Sequence, residues 1–305
     1  MQKELLLEKL QSVEKLAAAS KIARLSADPF KYLGAILHRQ LVFPLQKKSW
    51  QTKSKTFWGE EMILLLPSST DIYLTGGKSH DSEIRLAKFL IHQLRPGDTF
   101  VDIGTHYGYF TLLALEIVGA SGKVFSLEAS PVNFSILEKN TRNRKNVQAI
   151  NAVISNSEGM ATFYEFPNLY SEYNTLDVSQ FRHEEWFKKN PPNEKQLSCV
   201  KMDSFFQKNE VEPDVIKIDV EGAEFMVLQG MIEALYQQSL TIVLEFLSEK
   251  RGNESHLKAL ELLLQYGYKP FSIGQNGGLQ SLENVSDHLK SKGLDSDNIV
   301  FQKGF

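Results

Sequence analysis

The sequence predicts an α/β protein with a mostly parallel sheet that is covered by helices on both faces. From Thr99 onward, short apolar segments rich in β-branched residues alternate with segments of helical periodicity, the order typical of repeated β–α units. The apolar segments are almost uninterrupted, as expected for strands buried on both faces. Acidic residues follow several of them, at the strand ends where open α/β sheets bind ligands.

Residues 1–56 are predicted to form a helical extension. The apolar residues of the first helix lie at three- and four-residue spacings and are Leu6, Leu10, Val13 and Leu16. Pro29 ends or restarts the pattern, and a second periodic segment runs from Tyr32 to Leu41. We expect these helices to pack on the main domain or to build a homo-oligomer; a lid over the substrate is the weaker alternative.

Residues 57–305 are predicted to form the main domain. It begins with a hairpin at 57–78, because apolar segments at 62–66 and 71–74 flank a polar Ser-Ser-Thr turn. A helix at 82–94 leads to seven strands, which are predicted at 99–103, 123–127, 147–154, 215–220, 241–246, 269–273 and 298–302. Helices are predicted between them at 110–118, 132–142, 223–237 and 254–266.

Residues 155–202 interrupt this alternation. They contain no crossover helix of the expected size, one further strand at 160–166, and the pair Pro191-Pro192. We therefore expect an insertion near the site. Several of its side chains could line an acceptor pocket, with a solvated loop as the competing interpretation: Tyr170, Tyr173, Asn174, His183 and Trp186.

The composition restricts the class of protein. Apolar residues make up 42% and charged residues 23% of the chain, as in ordinary globular proteins. The formal net charge of −3 gives no electrostatic reason to expect a nucleic-acid partner. A single cysteine, Cys199, excludes an intramolecular disulfide and fits a reducing compartment. Without a signal-peptide core or an apolar segment of about 20 residues, we expect a cytoplasmic protein with no membrane span.

The stretch from Asp102 to Tyr109 leads from the first of these strands into a helix. A dinucleotide-binding turn has the pattern G-x-G-x-x-G, whose middle glycine lets the backbone approach a pyrophosphate. Here His106 and Tyr109 occupy the second and third glycine positions after Gly104. The remaining glycines, Gly104 and Gly108, follow a carboxylate, which suits a zwitterionic ligand better than phosphates. The pattern favours a nucleoside that carries an amino acid; a plain strand-to-helix turn is the alternative.

Glu128 ends the second strand, 24 positions after Gly104. This spacing is close to that of the acidic residue that accepts hydrogen bonds from ribose hydroxyls in nucleotide-binding α/β folds. A surface carboxylate that caps the helix after Ser130 is the alternative. In combination with the glycine turn, the spacing favours the ribose role.

The stretch at 215–224 places three carboxylates after an apolar strand. Asp219 comes first and should face the site, because ligands bind beyond the carboxyl ends of strands. Lys217 lies two residues earlier on the same face of the strand, where we expect it to pair with Asp219. Glu221 and Glu224 suit the exposed amides of a helix N-terminus, and for Glu224 the capping role is favoured.

These stretches together resemble the FkbM family of class I S-adenosylmethionine-dependent methyltransferases. The resemblance rests on Asp-Ile-Gly-Thr-His-Tyr-Gly at 102–108, the strand end at Glu128, Asn-Ala-Val-Ile-Ser at 151–155 and, most specifically, Lys-Ile-Asp-Val-Glu-Gly-Ala-Glu at 217–224. It covers roughly residues 80–250. It implies a Rossmann-like, seven-stranded, mostly parallel sheet with an antiparallel last strand, and S-adenosylmethionine as the cofactor.

The resemblance also implies which residues hold the cofactor. The turn from Gly104 to Gly108 would lie beneath the methionine part, Glu128 would bind the ribose, and one of two apolar residues would lie near the adenine. The complete implied set is Asp102, Gly104, Thr105, His106, Gly108, Tyr109, Glu128, Ala152, Val153 and Asp219. Many family members have Ala-Asn where this chain has Thr105-His106, so His106 is a feature of this protein.

Methyl transfer from a sulfonium is an in-line displacement in which the protein supplies position. A hydroxyl acceptor must also lose a proton, so we expect a base near it. The candidates are His106, Asp219, Glu221 and Glu245. Asp219 and Glu245 could instead hold a divalent cation, but two carboxylates do not compel a metal site and none is predicted. Family analogy favours O-methylation of a sugar or small-molecule hydroxyl.

Three other functions compete with this prediction. An NAD-dependent dehydrogenase is disfavoured by the missing glycines. A methyltransferase that acts on protein or RNA would normally have a basic surface or a recognition module. A non-catalytic binding protein on the same fold would be expected to lose Asp102, Gly104 or Glu128, and all three are present.

Overall fold

The computed structural model describes residues 2–303. Residues 2–46 of the N-terminal extension are helical and form α1 (Gln2–Ala18), α2 (Lys21–Ala27), α3 (Pro29–Leu37) and α4 (Phe43–Gln46), with a π-helical turn at His38–Val42 between the last two. The helical extension predicted at 1–56 reaches too far, because Trp50–Lys55 is a strand. Helix α1 buries Leu6, Leu10 and Val13. The side chains of Ser20 and Asp28 cap the N-termini of α2 and α3. None of the helices within 2–303 is long and apolar enough to cross a membrane.

The prediction of a hairpin at 57–78 is wrong in its second strand. The hairpin pairs β1 (Trp50–Lys55) with β2 (Glu61–Leu66), whereas 71–74 belongs to the helix α5 (Thr70–Thr75). Strand β1 was missed because five of its six residues are polar and only Ser54 is buried. A single helical turn is too short to show a period, and Gly76 ends it in a left-handed conformation.

The remaining elements follow the predicted alternation. The first group is α6 (Asp81–Gln93), β3 (Thr99–Ile103), α7 (Tyr109–Val118), β4 (Lys123–Glu128), α8 (Pro131–Thr141), β5 (Val147–Asn151) and β6 (Val153–Ile154). The second group is β7 (Gly159–Glu165), α9 (Glu185–Lys189), β8 (Asn193–Val200), α10 (Met202–Asn209), β9 (Val215–Ile218), α11 (Glu224–Gln229) and α12 (Ile232–Gln237). The third group is β10 (Thr241–Leu247), α13 (Glu254–Gln265), β11 (Tyr268–Ile273), β12 (Leu279–Ser281), α14 (Val285–Lys292) and β13 (Ser296–Lys303).

The main sheet has the order β12-β11-β13-β10-β9-β3-β4-β5 in the described part of the chain. Strands β5, β4, β3, β9 and β10 are parallel, and β13 runs antiparallel to both of its neighbours. This confirms the mostly parallel sheet with an antiparallel last strand. Each of the seven predicted strands is represented, but the strand predicted at 147–154 is broken at Ala152, so that β5 joins the main sheet and β6 joins a second, smaller sheet. The eighth strand of the main sheet, β12, is a three-residue edge strand in a polar segment without a periodic pattern.

Two strands of the insertion at 155–202 form a small second sheet with β6, which precedes the insertion, in the order β6-β8-β7. Strand β7 confirms the strand predicted at 160–166; its partner β8 was missed because its sequence, Asn-Glu-Lys-Gln-Leu-Ser-Cys-Val, is largely polar and exposed. Between these strands, aromatic side chains pack against one another: Phe166, Tyr170, Tyr173, Phe181, Trp186 and Phe187.

The parallel strands bring the turn after β3 against the end of β9. The amide of Asp219 donates to the carbonyl oxygen of Ile103 over 3.0 Å. Gly104 has a φ of +77°, and a Cβ atom there would lie 1.8 Å from the carbonyl oxygen of Asp219. The two strand ends can therefore approach this closely only if position 104 is glycine.

We predict that Gly104→Ala lowers the free energy of unfolding by more than about 2 kcal/mol, because the methyl group forces the two strand ends apart. Urea denaturation would measure the loss. Gly293→Ala is the matched control, since Gly293 has a similar φ of +64° with no atom within 4 Å of its would-be Cβ, and should lose only about 1 kcal/mol. Equal losses in the two variants would contradict the close-approach argument.

Candidate active site

A cavity of about 320 Å³ lies at the carboxyl ends of the central strands, beneath the insertion. One side of it, which we term the turn half, is formed by Gly104, Thr105, His106, Tyr109, Leu127, Glu128, Ala152, Val153 and Phe163. The other side, which we term the acidic half, is formed by Asp71, Lys78, Glu83, Glu172, Asp219, Glu221, Glu245 and Arg251. The structure therefore brings together most of the residues that the sequence analysis selected.

Asp102 and Gly108 support the turn from behind and do not line the cavity. Asp102 is 1% exposed, and its Oδ2 accepts a 2.8 Å hydrogen bond from the hydroxyl of Thr111. The Thr111 hydroxyl is also 2.9 Å from that of Thr105. Burial raises the pKa of Asp102, against the opposing charge of Lys217. This buried network fixes the turn on the first residues of α7.

His106 joins three parts of the site. Its backbone is left-handed, with a φ of +53°, and its amide donates to Oε2 of Glu128 over 2.8 Å. Its ring lies against Tyr107, and Nε2 is 3.0 Å from the hydroxyl of Ser171 in the insertion. Burial, together with the charge of Lys78, lowers the pKa of His106 to about 3. The imidazole is therefore neutral at neutral pH.

Glu128 is held by hydrogen-bond donors on both carboxylate oxygens. Besides the amide of His106, it accepts the amide of Ser130 over 2.9 Å and the side-chain amide of Asn133 over 3.4 Å. Burial nevertheless raises its pKa to about 7. The alternative of a surface cap is wrong, because Glu128 is buried and Ser130 caps the following helix. The carboxyl group lines the cavity instead, and its ribose role stays a prediction.

Asp219 anchors the acidic half through Lys217. The Lys217 ammonium is 2.9 Å from Oδ2 of Asp219, as the strand register predicts, and 3.8 Å from Oδ1 of Asp102. Burial alone would raise the pKa of Asp219, but the charges of Lys217 and Lys78 lower it. Asp219 is consequently ionised, and its carboxylate faces the cavity.

Asp219, Glu221 and Glu245 form a cluster in which one carboxylate oxygen from each residue lies within 4.8 Å of the other two. Burial and the charge of Asp219 raise the pKa of Glu245 to about 8, and burial with the charges of Glu245 and Asp219 raises that of Glu221 well above its usual value. Three carboxylates at this distance cannot all be ionised without a counter-charge. Either shared protons or a bound divalent cation would satisfy them.

Glu224 binds amides of the loop that enters α11 rather than the first amides of the helix, which is where the sequence placed its capping role. Its Oε1 accepts the backbone amides of Val220 and Gly222, each over 3.2 Å. Its Oε2 lies 3.1 Å from Nε2 of His256. Glu224 is buried and makes no part of the cavity wall, so it orients the loop that carries Asp219 and Glu221.

Several cavity residues were not found from the sequence. Asp71 and Lys78 lie in the segment before residue 80, which has no family pattern, and Lys78 pairs with Glu83 over 3.1 Å. Glu172 and Arg251 are charged residues in irregular segments with no distinguishing spacing. Of the insertion residues proposed as pocket lining, Tyr173 and Asn174 reach the cavity. Trp186 packs in the aromatic cluster instead, and His183 is exposed.

Three known methyltransferases are similar to parts of this chain. The hexuronic acid methyltransferase AglP of Haloferax volcanii is 27% identical over 158 residues, which cover 51% of this chain and 59% of that protein. The chain therefore matches less than two thirds of the length of this relative. Among solved structures, an FkbM methyltransferase from Methylobacillus flagellatus is 12% identical with a TM-score of 0.43, covering 77% of this chain and 52% of that one. An S-adenosylmethionine-dependent O-methyltransferase from Thermotoga maritima is 14% identical with a TM-score of 0.40, covering 83% and 78%.

The family of the chain is shown by the sequence of its central region. The family described as "Methyltransferase FkbM domain" matches residues 102–270, which is more than half of the chain. The matched region contains the glycine turn, Glu128 and the Asp219–Glu221–Glu245 cluster. The chain therefore belongs to the FkbM family of S-adenosylmethionine-dependent methyltransferases.

Proposed function

We propose that this protein transfers the methyl group of S-adenosylmethionine to a hydroxyl group of a saccharide or a similar small polyol. The observation that carries the proposal is a single cavity that joins the turn half to a wall rich in carboxylates. Carboxylates accept hydrogen bonds from adjacent hydroxyls, and a saccharide offers many of these. The relative in Haloferax volcanii is named for methylating a hexuronic acid, which supports a sugar acceptor.

The turn half is assigned to the cofactor. Glu128 accepts the ribose hydroxyls, while Ala152 and Val153, together with the apolar wall at Phe163, enclose the adenine. The left-handed turn at Gly104 admits the methionine part close to the backbone, with Thr105 and Tyr109 beside it. The ionised Asp219 would pair with the cofactor's ammonium group.

The acidic half is assigned to the acceptor. Glu245 is the favoured candidate for removing the hydroxyl proton, because its pKa is raised to about 8. The neighbouring Asp219 is the weaker base, because the charges of Lys217 and Lys78 lower its pKa against the effect of burial. His106 is less suited to this role, because a base with a pKa of about 3 draws a proton only weakly. We assign the His106 side chain to positioning the insertion over the cofactor through Ser171.

The size of the cavity distinguishes the acceptor classes. A volume of about 320 Å³ shared with a cofactor suits a small acceptor or the end of a saccharide chain. A folded protein or an RNA would need an open, complementary surface around the cavity.

A cytoplasmic location stays a prediction, supported by the single cysteine, which is buried and unpaired.

We predict that S-adenosylhomocysteine binds in calorimetric titration, that NAD does not, and that affinity falls as the pH is lowered through 7. The carboxyl group of Glu128, with a pKa of about 7, must be ionised to accept both ribose hydroxyls. Glu128→Gln should weaken binding by about 1–3 kcal/mol. It should also reduce this pH dependence, to which Glu172 contributes as well, because burial raises the pKa of that cavity residue to about 7. Glu138→Gln, an exposed carboxylate on the next helix, is the control. Binding of NAD without binding of S-adenosylhomocysteine would refute the cofactor assignment.

We predict that His106→Ala weakens cofactor binding by about 1 kcal/mol and lowers kcat only a few-fold, because the neutral ring positions the insertion. His106→Asn should retain more of the affinity, since Asn tolerates the left-handed backbone. Separate measurements of cofactor Kd and kcat distinguish the roles. A large fall in kcat at unchanged Kd would make His106 the base.

We predict that Glu245→Gln reduces methyl transfer to a panel of saccharides by about 100-fold or more while S-adenosylhomocysteine binds as before. Mass spectrometry of the products would measure transfer, and Glu261→Gln, an exposed carboxylate, is the control. Added chelator separates the two chemistries of the cluster: it leaves a proton-transferring carboxylate active and abolishes turnover that needs a divalent cation. Full activity of Glu245→Gln would remove this residue from the reaction.

A further inference from the structure

The N-terminal extension exposes an unusual concentration of large apolar side chains. Fourteen such side chains are exposed in the described part of the chain, and eight of these lie between residues 22 and 50. We term these eight the apolar stripe; they are Ile22, Phe30, Leu33, Leu37, Leu41, Val42, Leu45 and Trp50. Phe30 is 91% exposed and Leu45 is 84% exposed, so they contribute nothing to the core.

Five residues of the stripe lie along one side of the continuous helical segment from Pro29 to Gln46, whereas Ile22 lies in α2 and Trp50 in β1. From Phe30 through Leu33, Leu37 and Leu41 to Leu45, the spacing is three or four residues, which is the period of a helix face. The opposite side is already used: Ala35, His38 and Phe43 are buried there. The segment is thus apolar on both sides, and only its inner side is covered within the described chain.

The region around this helical segment, residues 20–56, is strongly basic. Residues 20–56 contain eight Lys or Arg and one Asp, a formal charge of +7. Because the whole chain has a formal charge of −3, the remainder carries −10. Five of these cations are exposed and form no ion pair with any residue in 2–303: Lys21, Arg39, Lys47, Lys48 and Lys55.

We propose that the apolar stripe docks on the surface of an anionic lipid bilayer. Helices that lie in a membrane interface bury an apolar face beneath the headgroups and place Lys and Arg among anionic lipids. A second copy of the chain is a poorer occupant, because two surfaces of charge +7 would face each other. A nucleic acid would neutralise the cations and leave the stripe in water. The bilayer satisfies both features, with Trp50 suited to the headgroup level.

Docking in this orientation places the active site close to the lipid surface. Trp50 packs on Tyr73 with ring centroids 6.0 Å apart, and the Lys31 ammonium lies 4.6 Å from the same ring. Tyr73 belongs to α5, whose residues Asp71 and Ile72 line the cavity. One short helix therefore connects the docking face to the acidic half. The apolar stripe can dock on a bilayer whichever acceptor the cavity binds.

Co-sedimentation of the full chain with vesicles tests the proposal. We expect binding to phosphatidylcholine vesicles that contain phosphatidylglycerol, and at least about tenfold weaker binding to pure phosphatidylcholine. High salt should weaken binding to the anionic vesicles, because it screens the exposed cations. Equal binding to both vesicle types, or no binding to either, would overturn the proposal.

Two sets of variants separate the apolar and the charged contributions. Leu37→Ser with Leu41→Ser and Leu45→Ser should lower anionic-vesicle binding at least about tenfold, while Met160→Ser with Tyr236→Ser and Leu264→Ser should not. The charge-reversal variant Lys21→Glu with Arg39→Glu and Lys48→Glu should also lower binding to anionic vesicles at least about tenfold. Its control, Lys208→Glu with Lys269→Glu and Lys292→Glu, changes the net charge equally at other exposed sites and should bind as the parent chain does.

All substituted residues are exposed, so the variants should fold, which circular dichroism and cofactor binding would verify. Analytical ultracentrifugation tests the competing occupant. A stable dimer that the triple serine variant dissociates, in a protein that does not bind anionic vesicles, would assign the stripe to self-association instead. Binding to a DNA duplex in preference to anionic vesicles would assign the cations to nucleic acid and would equally overturn the proposal.

Discussion

The buried ammonium of Lys217 is the interaction on which the site depends. It is 2% exposed and lies between two carboxylates at the ends of adjacent strands, Asp219 at 2.9 Å and Asp102 at 3.8 Å. Its charge opposes the effect of burial on the pKa of both carboxylates. Asp102 in turn receives the Thr111 hydroxyl beneath the glycine turn. One charge thus links the support of the turn half to the electrostatics of the acidic half, and loss of a partner from such a group is far more costly than the pair is stabilising.

Carboxylates in the two halves of the cavity have opposite electrostatic surroundings. Glu128 is surrounded by hydrogen-bond donors, two of them backbone amides, which stabilise an isolated negative charge. The cluster of Asp219, Glu221 and Glu245 has few donors, and like charges raise the pKa of two of its members. A cofactor that carries a positive sulfonium and an ammonium would lie between these environments in the proposed assignment. Its charge would relieve the repulsion in the cluster, so cofactor binding and the protonation of the acceptor half are expected to be coupled.

The sequence predicted the parts that depend on local pattern. All seven strands, the glycine turn and the spacing of Glu128 follow from apolar periodicity and strand-end chemistry, and the structure places them at one edge of the sheet. Strands β1 and β8 were missed because polar, exposed strands have no apolar alternation to read. Asp71, Lys78 and Glu83 reach the cavity only because the hairpin and α5 fold across the strand ends, which is tertiary information without a sequence spacing.

The charge of residues 20–56 is opposite in sign to the net charge of the chain. A net charge of −3 argues correctly against a uniformly basic protein, yet it is the sum of +7 on residues 20–56 and −10 elsewhere. Segregated charge orients a molecule: the acidic body is repelled from an anionic surface and the basic extension is drawn to it. With the apolar stripe on the same extension, only one orientation satisfies both forces. The fold therefore couples the position of the cavity to the surface on which the extension rests, through the contact of Trp50 with Tyr73.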